Sequence, residues 1–385
     1  MQDRVLVFDT TLRDGEQSAG VCFSARDKLE IAHALAALRV DVIEAGFPGA
    51  SPGEHAAVSQ VARGVRGVVV CGLARAVASD VEAAVEAMRG AERPRIHVFV
   101  NASDVQLAHQ LRKDRAAVVG MAELAVRQAR RGTDDVEFSP MDATRADLDF
   151  LVELVRAALR AGARTINLPD TVGCALPGQV EALFRGLRAE VPELEEAVLS
   201  FHGQDDLGLA TANTLAAIGA GARQVEVTVN GIGERAGNTA LEEVVMALRL
   251  HGRSLGVATG VETRGIHALS RLVAERSRMA VASNKAIVGR NAFRHASGIH
   301  QDGVLKWRSN YEILDPAEIG HPVGSEIVLG KLSGRAGFEA RLGALGIALG
   351  SEALERAFAL FQRVADTGRE VLDADLRSIC GEAGA

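Results

Sequence analysis

Short apolar runs alternate with longer segments of helical periodicity along residues 1–255 of the chain. The longer segments, such as Ala25–Leu38 and Arg145–Ala161, repeat apolar positions every three or four residues, which is typical of amphipathic helices. The short runs predict eight buried strands, at Val5–Phe8, Val42–Ala45, Val68–Cys71, Ile96–Val100, Val136–Phe138, Thr165–Leu168, Val198–Phe201 and Gln224–Val229. Because a helix follows each strand, the pattern predicts an α/β fold, a closed parallel (β/α)8 barrel of the TIM-barrel class.

The predicted barrel helices have candidate start signals. Ser24, Ser79 and Asp104 each precede a helical stretch. Side-chain oxygens of these residue types can accept hydrogen bonds from the free N–H groups of a first helical turn. We therefore expect these residues at helix starts.

Residues 256–385 lack the alternation of strands and helices. They contain helical patterns at Val261–Ala280, Ala336–Leu345 and Glu352–Asp366, and a polar, glycine-bearing segment at Asn291–Tyr311. This part is too short for a second barrel. We therefore predict two domains, a TIM-barrel catalytic domain at 1–255 and a mainly helical lid and dimerisation subdomain at 256–385.

Composition narrows the class of protein. Apolar residues make up 48% of the 385 residues, which suffices for a large core and argues against disorder. The net charge of −7 and the lack of a basic stripe disfavour a nucleic-acid partner. Without a leader or an apolar run of membrane-spanning length, we expect no membrane association and a cytoplasmic location. The four cysteines lack C-x-x-C spacing and are predicted to be core thiols.

Polar residues collect at the ends of the predicted strands. Arg13 and Asp14 follow the first strand, within Asp9–Gln17. The other strands are ended or followed by Glu44, Asn101, Ser103, Glu137, Ser139, Asn167, Asp170, Thr171, His202, Gln204, Asp206, Glu226, Thr228 and Asn230. Each alone could be a helix cap or an internal hydrogen-bonding group. Since the carboxyl ends of barrel strands meet at one face, their convergence predicts an active site there.

Three of these residues predict a metal site. His202 and Gln204 lie two apart on an extended segment, so both side chains point the same way. With Asp14 they offer nitrogen and oxygen donors that suit Mg²⁺ or Mn²⁺ and are also compatible with Zn²⁺. The alternative is a histidine that only bonds neighbouring loops. Arg13 beside such a site can neutralise charge that develops on an oxo substrate.

Two glycine-containing segments resemble known motifs by letter. Gly231–Gly237 follows the last strand and precedes a helix, so its backbone amides could bind a phosphate or carboxylate. Its glycine spacing is not that of a dinucleotide site. Gly49–Gly53 matches the nucleophile elbow of serine hydrolases, but Pro52 follows the serine and has no N–H for an oxyanion hole. We therefore exclude a serine hydrolase.

Several blocks of residues, taken together and in order, resemble one enzyme family. The blocks are Asp9–Gln17, Ile43–Pro48, Asn167–Gly173, Asp206–Ala210, Asn230–Glu243 and Ser297–Gly303. Over nearly the whole chain they resemble the metal-dependent acyl-CoA condensing enzymes typified by the 2-isopropylmalate and homocitrate synthases. The resemblance implies that acetyl-CoA condenses with a 2-oxo acid, best matched by 2-oxoisovalerate to give 2-isopropylmalate, and that the thioester is then hydrolysed.

The resemblance also implies roles for single residues of the barrel. It places the ligands of a divalent metal ion (Mg, Mn or Zn) at Asp14, His202, Gln204 and Asn238. It makes Arg13 catalytic and implies that substrate is bound by Arg13, Glu44, Ser139, Met141 and Thr171. Gly231 and Gly233 would bind CoA.

Residues beyond the predicted barrel receive roles in the same way. His300 and Tyr311 match a catalytic lid pair that reaches into the neighbouring subunit's barrel, which implies a homodimer. The sequence stops at Ala385, so we expect a short form without the leucine regulatory domain of long relatives. Leucine is then not expected to inhibit allosterically.

The chain departs from the family at five positions. Gln204, Gln106 and Leu332 stand where histidine is usual, and Met141 and Ala296 stand where glutamate is usual. Gln204 keeps an oxygen ligand, whereas Met141 cannot replace a carboxylate acid or base and makes the pocket more apolar. Two alternatives therefore stay open. One is a homocitrate, citramalate or other 2-alkylmalate synthase with a retuned pocket, and the other is a catalytically impaired paralogue that only binds.

Overall fold

Eight parallel strands close into a barrel in the computed structural model, which describes residues 3–369 and 371–384. Each strand pairs with the next, and the last pairs with the first in a register that joins Leu6 to Gln224. The strands are β1 Leu6–Asp9, β2 Val42–Gly46, β3 Val69–Arg75, β4 Pro94–Asn101, β5 Val136–Met141, β6 Thr165–Asp170, β7 Val198–Gly203 and β8 Gln224–Val227. The predicted barrel is confirmed.

A helix follows every barrel strand. These helices are α1 Ala25–Ala37, α2 Pro52–Gly64, α3 Ala78–Met88, α4 Arg115–Ala129, α5 Leu148–Ala161, α6 Pro177–Glu190, α7 Ala210–Gly219 and α8 Leu241–Leu255. Before α4, a short helix at Asp104–Gln106 continues into a π-helix at Leu107–Leu111. A two-residue strand, Asp3–Arg4, pairs in parallel with Val257–Ala258 next to the barrel.

The helix starts follow local side-chain chemistry. Ser24 caps α1 as predicted, since its hydroxyl accepts the Asp27 N–H while the Asp27 carboxylate accepts the Ser24 N–H. The expectation for Ser79 is wrong, because α3 begins one residue earlier and Val77 precedes it. Ser103, rather than Asp104, caps the short helix after β4. A residue type that favours helix caps therefore predicts the start of a helix only to within one or two residues.

The chain divides into two compact units, Met1–Val281 and Ala282–Ala385. The first contains the barrel and α9, Ile266–Ser277. The second is mainly helical, with α10 Gly298–Lys306, α11 Arg335–Ala344, α12 Ser351–Ala365 and α13 Asp373–Gly384. It has its own apolar core around Phe338 and Phe361, and a two-strand parallel ladder of Arg294–His295 with Glu326–Ile327. The predicted helical C-terminal region is confirmed, while a domain boundary at 255/256 stays a prediction.

Two expectations drawn from composition concern membranes and cysteines. Among the helices of residues 3–369 and 371–384, none combines the length and apolarity needed to cross a membrane. All four cysteines are free thiols, but only Cys71 and Cys380 are buried. Cys22 and Cys174 are exposed, so the prediction of core thiols is wrong for those two.

Candidate active site

A cavity of about 450 Å³ lies at the carboxyl ends of the barrel strands. Seven of the residues predicted to bind metal or substrate line it: Arg13, Asp14, Ser139, Met141, Thr171, His202 and Gln204. Apolar side chains complete much of its wall, among them Phe47, Leu73, Phe99, Met121 and Pro169. The mouth of the barrel therefore presents polar groups for chemistry and an apolar surface for a hydrocarbon group.

Arg13 is held by carboxylates at the edge of the cavity. Its Nε donates to Glu44 Oε2 at 2.7 Å, and its Nη1 donates to Asp14 Oδ2 at 3.0 Å. Glu44 does not line the cavity. It lies fully buried within β2 and also accepts the Thr10 hydroxyl at 2.6 Å. The loop after β1 is thereby fastened to β2, which fixes the direction of the guanidinium.

The charges around Arg13 keep it and its partners ionised. Burial disfavours the charged guanidinium, but the carboxylates of Glu44 and Asp14 outweigh burial and raise the pKa of Arg13 above its usual value. Burial likewise opposes charge on Glu44, yet Arg13 and a hydrogen bond from His97 hold the pKa of that carboxyl well below its usual range. The site therefore carries a fixed cation aimed at the cavity.

The four predicted metal ligands lie together. Gln204 Nε2 lies 3.2 Å from Asp14 Oδ2 and 3.1 Å from His202 Nε2, and His202 Nε2 lies 3.4 Å from Asp14 Oδ2. Gln204 and Asn238 pair through an isolated antiparallel bridge. Residues from the loop after β1, from β7 and from the segment after β8 thus converge on one point.

The hydrogen bonding of this group fits a cation. Gln204 Oε1 and Asn238 Oδ1 are buried without a hydrogen-bond partner, which is costly unless a ligand satisfies them. The oxygen and nitrogen of a glutamine amide can exchange places by a half-turn. Such a turn places the Gln204 oxygen where its Nε2 now lies, within 3.2 Å of Asp14 and His202. Two amide oxygens, a carboxylate and an imidazole form a donor set for a hard divalent ion.

A second acidic group lies deeper in the barrel. His97, Glu137 and Glu226 have ligand atoms within 4.8 Å of one another and form a candidate metal site by spacing alone. Their hydrogen bonds are mostly taken by protein, however. Glu137 accepts from Arg95 at 3.0 Å and from Gln224 at 2.8 Å, and both ring nitrogens of His97 are engaged. The cation beside Glu137 and the occupied donors make this the weaker candidate.

Glu226 instead supports His202. Its Oε2 lies 2.7 Å from His202 Nδ1, which leaves Nε2 of the imidazole facing Asp14 and Gln204. Burial alone lowers the pKa of His202, but the hydrogen bond and charge of Glu226 outweigh burial and raise it. A carboxylate behind a metal-binding histidine fixes the ring and makes its free nitrogen a better donor.

His97 is a site residue that sequence reasoning missed. Its Nδ1 lies 2.8 Å from Glu44 Oε1, and its Nε2 lies 2.6 Å from Ser139 Oγ. Burial alone would lower its pKa, but Glu44 raises the pKa of His97 to about 9. Asn167 Nδ2 donates to the same Ser139 oxygen at 2.9 Å, and Asn167 Oδ1 is buried without a partner.

A signal for His97 is present in the sequence of β4. The polar residues Arg95, His97 and Asn101 all occupy odd-numbered positions of β4, and the residues between them are apolar. Successive strand residues point to opposite faces, so this spacing places polar side chains on one face of β4. Arg95 bonds Glu137 and Gln224, and His97 bonds Glu44 and Ser139. Arg75 and Arg235 also line the cavity and were not predicted as site residues from the sequence.

Met141 and Thr171 lie at the ends of β5 and β6. The Cα register pairs Met141 with Asn101 across β4 and β5, and its side chain lines the cavity. The Thr171 hydroxyl oxygen accepts the Asp142 N–H at 2.8 Å, so its own hydrogen is available for a ligand. Gln106, where the resemblance implies a histidine, does not line the cavity and accepts a hydrogen bond from Asn101 at 2.8 Å.

Gly231 and Gly233 lie in the turn after β8. The Gly231 N–H already donates to the Thr228 carbonyl at 3.2 Å, and neither glycine lines the cavity. A Cβ on Gly233 would come within 2.0 Å of Asn238 Nδ2, so this position must be glycine for Asn238 to reach its place. Close packing against Asn238 is thus sufficient to explain why residue 233 is a glycine. CoA binding by this turn stays a prediction.

His300 and Tyr311 belong to the second compact unit. Both are exposed, and their rings pack against each other with centroids 4.2 Å apart. The pair therefore exists as a unit within its own domain. Its assignment to an active site stays a prediction.

Two protein-family models match the chain. The model described as HMGL-like matches residues 4–273, and the model described as homocitrate synthase post-HMGL domain-like matches residues 287–369. Together they match most of the barrel and much of the helical region.

Curated relatives match almost the whole chain. It is 54% identical over 380 residues to the 2-isopropylmalate synthase of Carboxydothermus hydrogenoformans, with 99% of this chain and 74% of the relative covered. It is 51% identical over 394 residues to the 2-isopropylmalate synthase of Synechocystis sp., again with 99% and 74% covered. The corresponding enzyme of Syntrophus aciditrophicus is 51% identical over 381 residues, with the same coverage.

Solved structures share the fold at lower identity. An HMG-CoA lyase from Bacillus subtilis is 22% identical with a TM-score of 0.62, over 73% of this chain and 96% of that one. An HMG-CoA lyase from Acinetobacter baumannii, solved with coenzyme A and 3-methylmalate, is 23% identical with a TM-score of 0.63, over 76% and 97%. At such identities the similarity concerns the fold.

Proposed function

The chain belongs to the 2-isopropylmalate and homocitrate synthase family, and on this basis we propose that it is an acyltransferase that condenses acetyl-CoA with 2-oxoisovalerate. The products are 2-isopropylmalate and, after thioester hydrolysis, free CoA. The observation that carries the proposal is the convergence of Asp14, His202, Gln204 and Asn238 beside Arg13 in a cavity with apolar walls. The relatives named 2-isopropylmalate synthase cover 99% of the chain and support the same reaction.

Arg13 and Thr171 bind the polar end of the oxo acid. The guanidinium lines the cavity and still has N–H groups beyond those that bond Glu44 and Asp14. These donors stabilise negative charge as it develops on the keto oxygen. The Thr171 hydroxyl has a free hydrogen and can donate to the substrate carboxylate. Rigid binding of both groups holds the keto carbon in position for attack.

The proposed cofactor is a divalent metal ion, either Mg²⁺, Mn²⁺ or Zn²⁺. Asp14, His202, Gln204 and Asn238 would hold it, and the buried Asn238 Oδ1, which has no hydrogen-bond partner, supports this assignment. When bound, such an ion supplies Lewis-acid polarisation of the keto carbonyl. Oxygen donors predominate in the set, which favours Mg²⁺ or Mn²⁺ over Zn²⁺.

The apolar wall selects the side chain of the oxo acid. Met141, Leu73 and Phe47 line the cavity and offer hydrocarbon contacts to an isopropyl group. We do not favour homocitrate or citramalate synthesis, because the curated relatives reported above are 2-isopropylmalate synthases. A paralogue that only binds is not favoured for the same reason.

We further propose a homodimer in which each helical domain completes the partner's active site. His300 and Tyr311 form a ready pair of a base and a phenol, and both are exposed to solvent in the single chain. Groups of this kind can assist proton transfer at the acetyl methyl group. CoA would approach the same mouth, near the turn that contains Gly231 and Gly233.

A thiol-release assay tests the function. The purified chain is supplied with acetyl-CoA, Mn²⁺ or Mg²⁺, and one 2-oxo acid at a time: 2-oxoisovalerate, pyruvate or 2-oxoglutarate. We expect the highest kcat/KM with 2-oxoisovalerate, and no thiol release without an oxo acid. Asp14→Asn, a nearly isosteric variant, is the control and should be inactive. Thiol release that is independent of the oxo acid, or absent with all three, would contradict the proposal.

A further inference from the structure

A left-handed residue opens the turn that follows β5. Asp142 has a φ of 68° and a ψ of 37°, and its side chain is fully buried. Residues with a Cβ rarely adopt this backbone conformation, and aspartate is among the few that tolerate it. Such a conformation persists where the surrounding structure holds it, and such residues cluster at functional sites. Three neighbours hold Asp142, namely Ser103, Arg145 and Thr171.

The carboxylate of Asp142 is held from two sides. Arg145 Nε lies 2.9 Å from Asp142 Oδ1, and Arg145 Nη2 lies 2.6 Å from Oδ2. Ser103, just after β4, donates its hydroxyl hydrogen to the same Oδ2. Ser103 is itself fully buried and caps the short helix that follows β4, so its position is fixed. The Asp142 backbone could leave its left-handed conformation only by breaking these bonds.

The backbone N–H of Asp142 is directed at Thr171. It donates to the Thr171 hydroxyl oxygen at 2.8 Å. Because a backbone N–H can only donate, the direction of this hydrogen bond does not depend on any state of protonation. One acceptor position of the hydroxyl is therefore occupied, and its hydrogen must point elsewhere. Thr171 lines the cavity, where a ligand can accept that hydrogen.

A second hydrogen bond joins the same two turns in the opposite direction. Thr144, two residues after Asp142, donates its hydroxyl hydrogen to Asp170 Oδ1 at 2.7 Å. The Asp170 carboxylate is fully buried and also accepts two backbone N–H groups of the turn after β6. Arg235 Nη2 donates to the Thr171 carbonyl oxygen at 2.8 Å. The main chain at Thr171 is thus held independently of Asp142, which leaves the direction of the hydroxyl to the Asp142 N–H.

We propose that Asp142 is a positioning residue for the 2-oxo acid, because its N–H fixes the direction in which the Thr171 hydroxyl donates to the substrate carboxylate. The proposal rests on the condensing function and on the role of Thr171 proposed above. Asp142 is buried and does not line the cavity, so it acts through Thr171. A hydroxyl that is already aimed loses less freedom when the carboxylate binds, which strengthens binding. The ion pair with Arg145 offsets the repulsion between the Asp142 charge and the substrate carboxylate.

Variants at Asp142 should change the affinity for the oxo acid and little else. Asp142→Ala removes the carboxylate and disfavours the left-handed backbone, so the KM for 2-oxoisovalerate should rise roughly 10-fold. The kcat and the KM for acetyl-CoA should stay within about threefold of the wild type. Asp142→Asn still tolerates the left-handed conformation and keeps an oxygen for Ser103, so it should recover most of the affinity. An Asp142→Ala enzyme with the oxo-acid KM of the wild type would overturn the proposal.

Asp147→Ala is the matched control for local disruption. Asp147 lies in the same connection between β5 and α5, is exposed, and caps α5 by accepting the Phe150 N–H at 3.1 Å. Loss of this cap should lower the melting temperature and leave the KM for 2-oxoisovalerate unchanged. If Asp147→Ala raised that KM as much as Asp142→Ala does, local disruption would explain both results and the proposal would be wrong.

A double variant tests whether Asp142 acts through Thr171. Thr171→Val keeps the shape of the side chain but removes the hydroxyl, and it should raise the KM for 2-oxoisovalerate roughly 10–100-fold. Adding Asp142→Ala to Thr171→Val should raise that KM no further, because both changes remove one interaction. Losses that multiply in the double variant would exclude action through Thr171.

A measurement on the wild type covers the case in which the Asp142 variants do not fold. The Asp142 amide is followed by ¹H–¹⁵N NMR while 2-oxoisovalerate is added in the presence of Mg²⁺. When the Thr171 hydroxyl donates to the carboxylate, its oxygen becomes a stronger acceptor, so the Asp142 amide proton should move downfield. An amide resonance that does not move at saturating oxo acid would overturn the proposal.

The NMR titration also separates this proposal from the proposed function, because it does not require turnover. A shift of the Asp142 amide without thiol release from acetyl-CoA would contradict the condensing function and support the positioning of Thr171. Thiol release with 2-oxoisovalerate and an unmoved Asp142 amide would support the condensing function and contradict the positioning role.

Discussion

The Nδ1 atom of His202 lies 2.7 Å from the Glu226 carboxylate, at adjacent barrel strands β7 and β8. The opposite nitrogen of the ring faces Asp14 and Gln204. This contact orients the imidazole from behind and leaves its other nitrogen to a ligand. The metal site proposed at the barrel mouth therefore depends on a residue that does not itself contact the metal.

Removal of the Glu226 charge should weaken metal binding. Glu226→Gln should reduce Mn²⁺ affinity roughly 10–100-fold, because the ring of His202 loses its partner carboxylate. Titration of the apo protein with Mn²⁺, followed by electron paramagnetic resonance, measures this directly. Glu137→Gln is the matched control. It alters an equally buried glutamate that bonds Arg95 and Gln224, and it should leave the affinity unchanged. If Glu137→Gln lost more Mn²⁺ affinity than Glu226→Gln, the metal site would instead be assigned to the deeper group of His97, Glu137 and Glu226.

An imidazole at position 204 should strengthen the site. Gln204→His replaces an amide with a stronger donor to transition ions and should tighten Mn²⁺ and Zn²⁺ binding, with the larger gain for Zn²⁺. Gln204→Leu removes the donor at similar volume and should weaken both. Calorimetric titration of the wild type and the two variants measures the order of their metal affinities. Equal affinities in wild type, Gln204→His and Gln204→Leu would show that this side chain is not a ligand.

A carboxylate at position 141 should assist removal of the acetyl methyl proton. Met141→Glu introduces the glutamate that the resemblance implies at this position, and we expect a higher kcat on 2-oxoisovalerate, by up to about 10²-fold. Met141→Gln has the same size and polarity but cannot take a proton, and it should not gain activity. Steady-state kinetics of both variants provides the comparison. A lower kcat in Met141→Glu with unchanged metal affinity would mean that the apolar wall is fitted to a different oxo acid.

Mixing of inactive variants tests the shared active site. Asp14→Ala disables the barrel site and His300→Ala disables the lid. When the two are co-expressed with different tags, the mixed dimer has one intact site, so an equilibrated mixture should regain about a quarter of wild-type activity. Asp14→Ala mixed with His202→Ala is the control and should regain none, since both changes lie in the barrel. A monomer in light scattering, or no recovery in a mixed dimer, would contradict the crossed lid.

A buried lysine links the segment after β1 to helix α2. Lys28 of α1 is almost fully buried, and its Nζ lies 2.7 Å from a carboxylate oxygen of both Glu16 and Glu54. Lys28→Met leaves both carboxylates without their cation and should lower the free energy of unfolding by about 3 kcal/mol. Arg39→Met, which breaks an exposed pair with Glu262, should cost less than about 1 kcal/mol. Urea unfolding compares the two variants, and equal losses would show that the ion pairs of Lys28 contribute no more than a surface pair.

The sequence predicts the barrel and its mouth because both follow from local periodicity. Each strand is a short apolar run, and polar residues such as Asp14 and His202 lie just beyond the point where a run ends. Parallel closure then brings those ends to one face without any knowledge of packing. For this reason the number and approximate positions of the eight strands, and the meeting of Asp14, His202 and Gln204, could be predicted from the sequence.

The support behind the site could not be predicted in this way. His97 meets Glu44 from 53 residues away, and Arg95 meets Gln224 from 129 residues away. Such pairs depend on the register between strands, which the sequence of one strand does not specify. The predicted helix caps Ser79 and Asp104 differ from the observed caps, Val77 and Ser103, by two residues and one residue, because residue type alone does not fix where a helix begins.

The identity of the reaction product tests the central claim most directly. The chain is incubated with Mn²⁺, 2-oxoisovalerate and acetyl-CoA labelled with ¹³C in the methyl group, and the product is analysed by NMR and mass spectrometry. We predict labelled 2-isopropylmalate in equal amount to the CoA released, with the label in the methylene group next to a carboxylate. Chelation of the metal should stop its formation. Release of CoA with labelled acetate, and no 2-isopropylmalate, would contradict the proposed condensation.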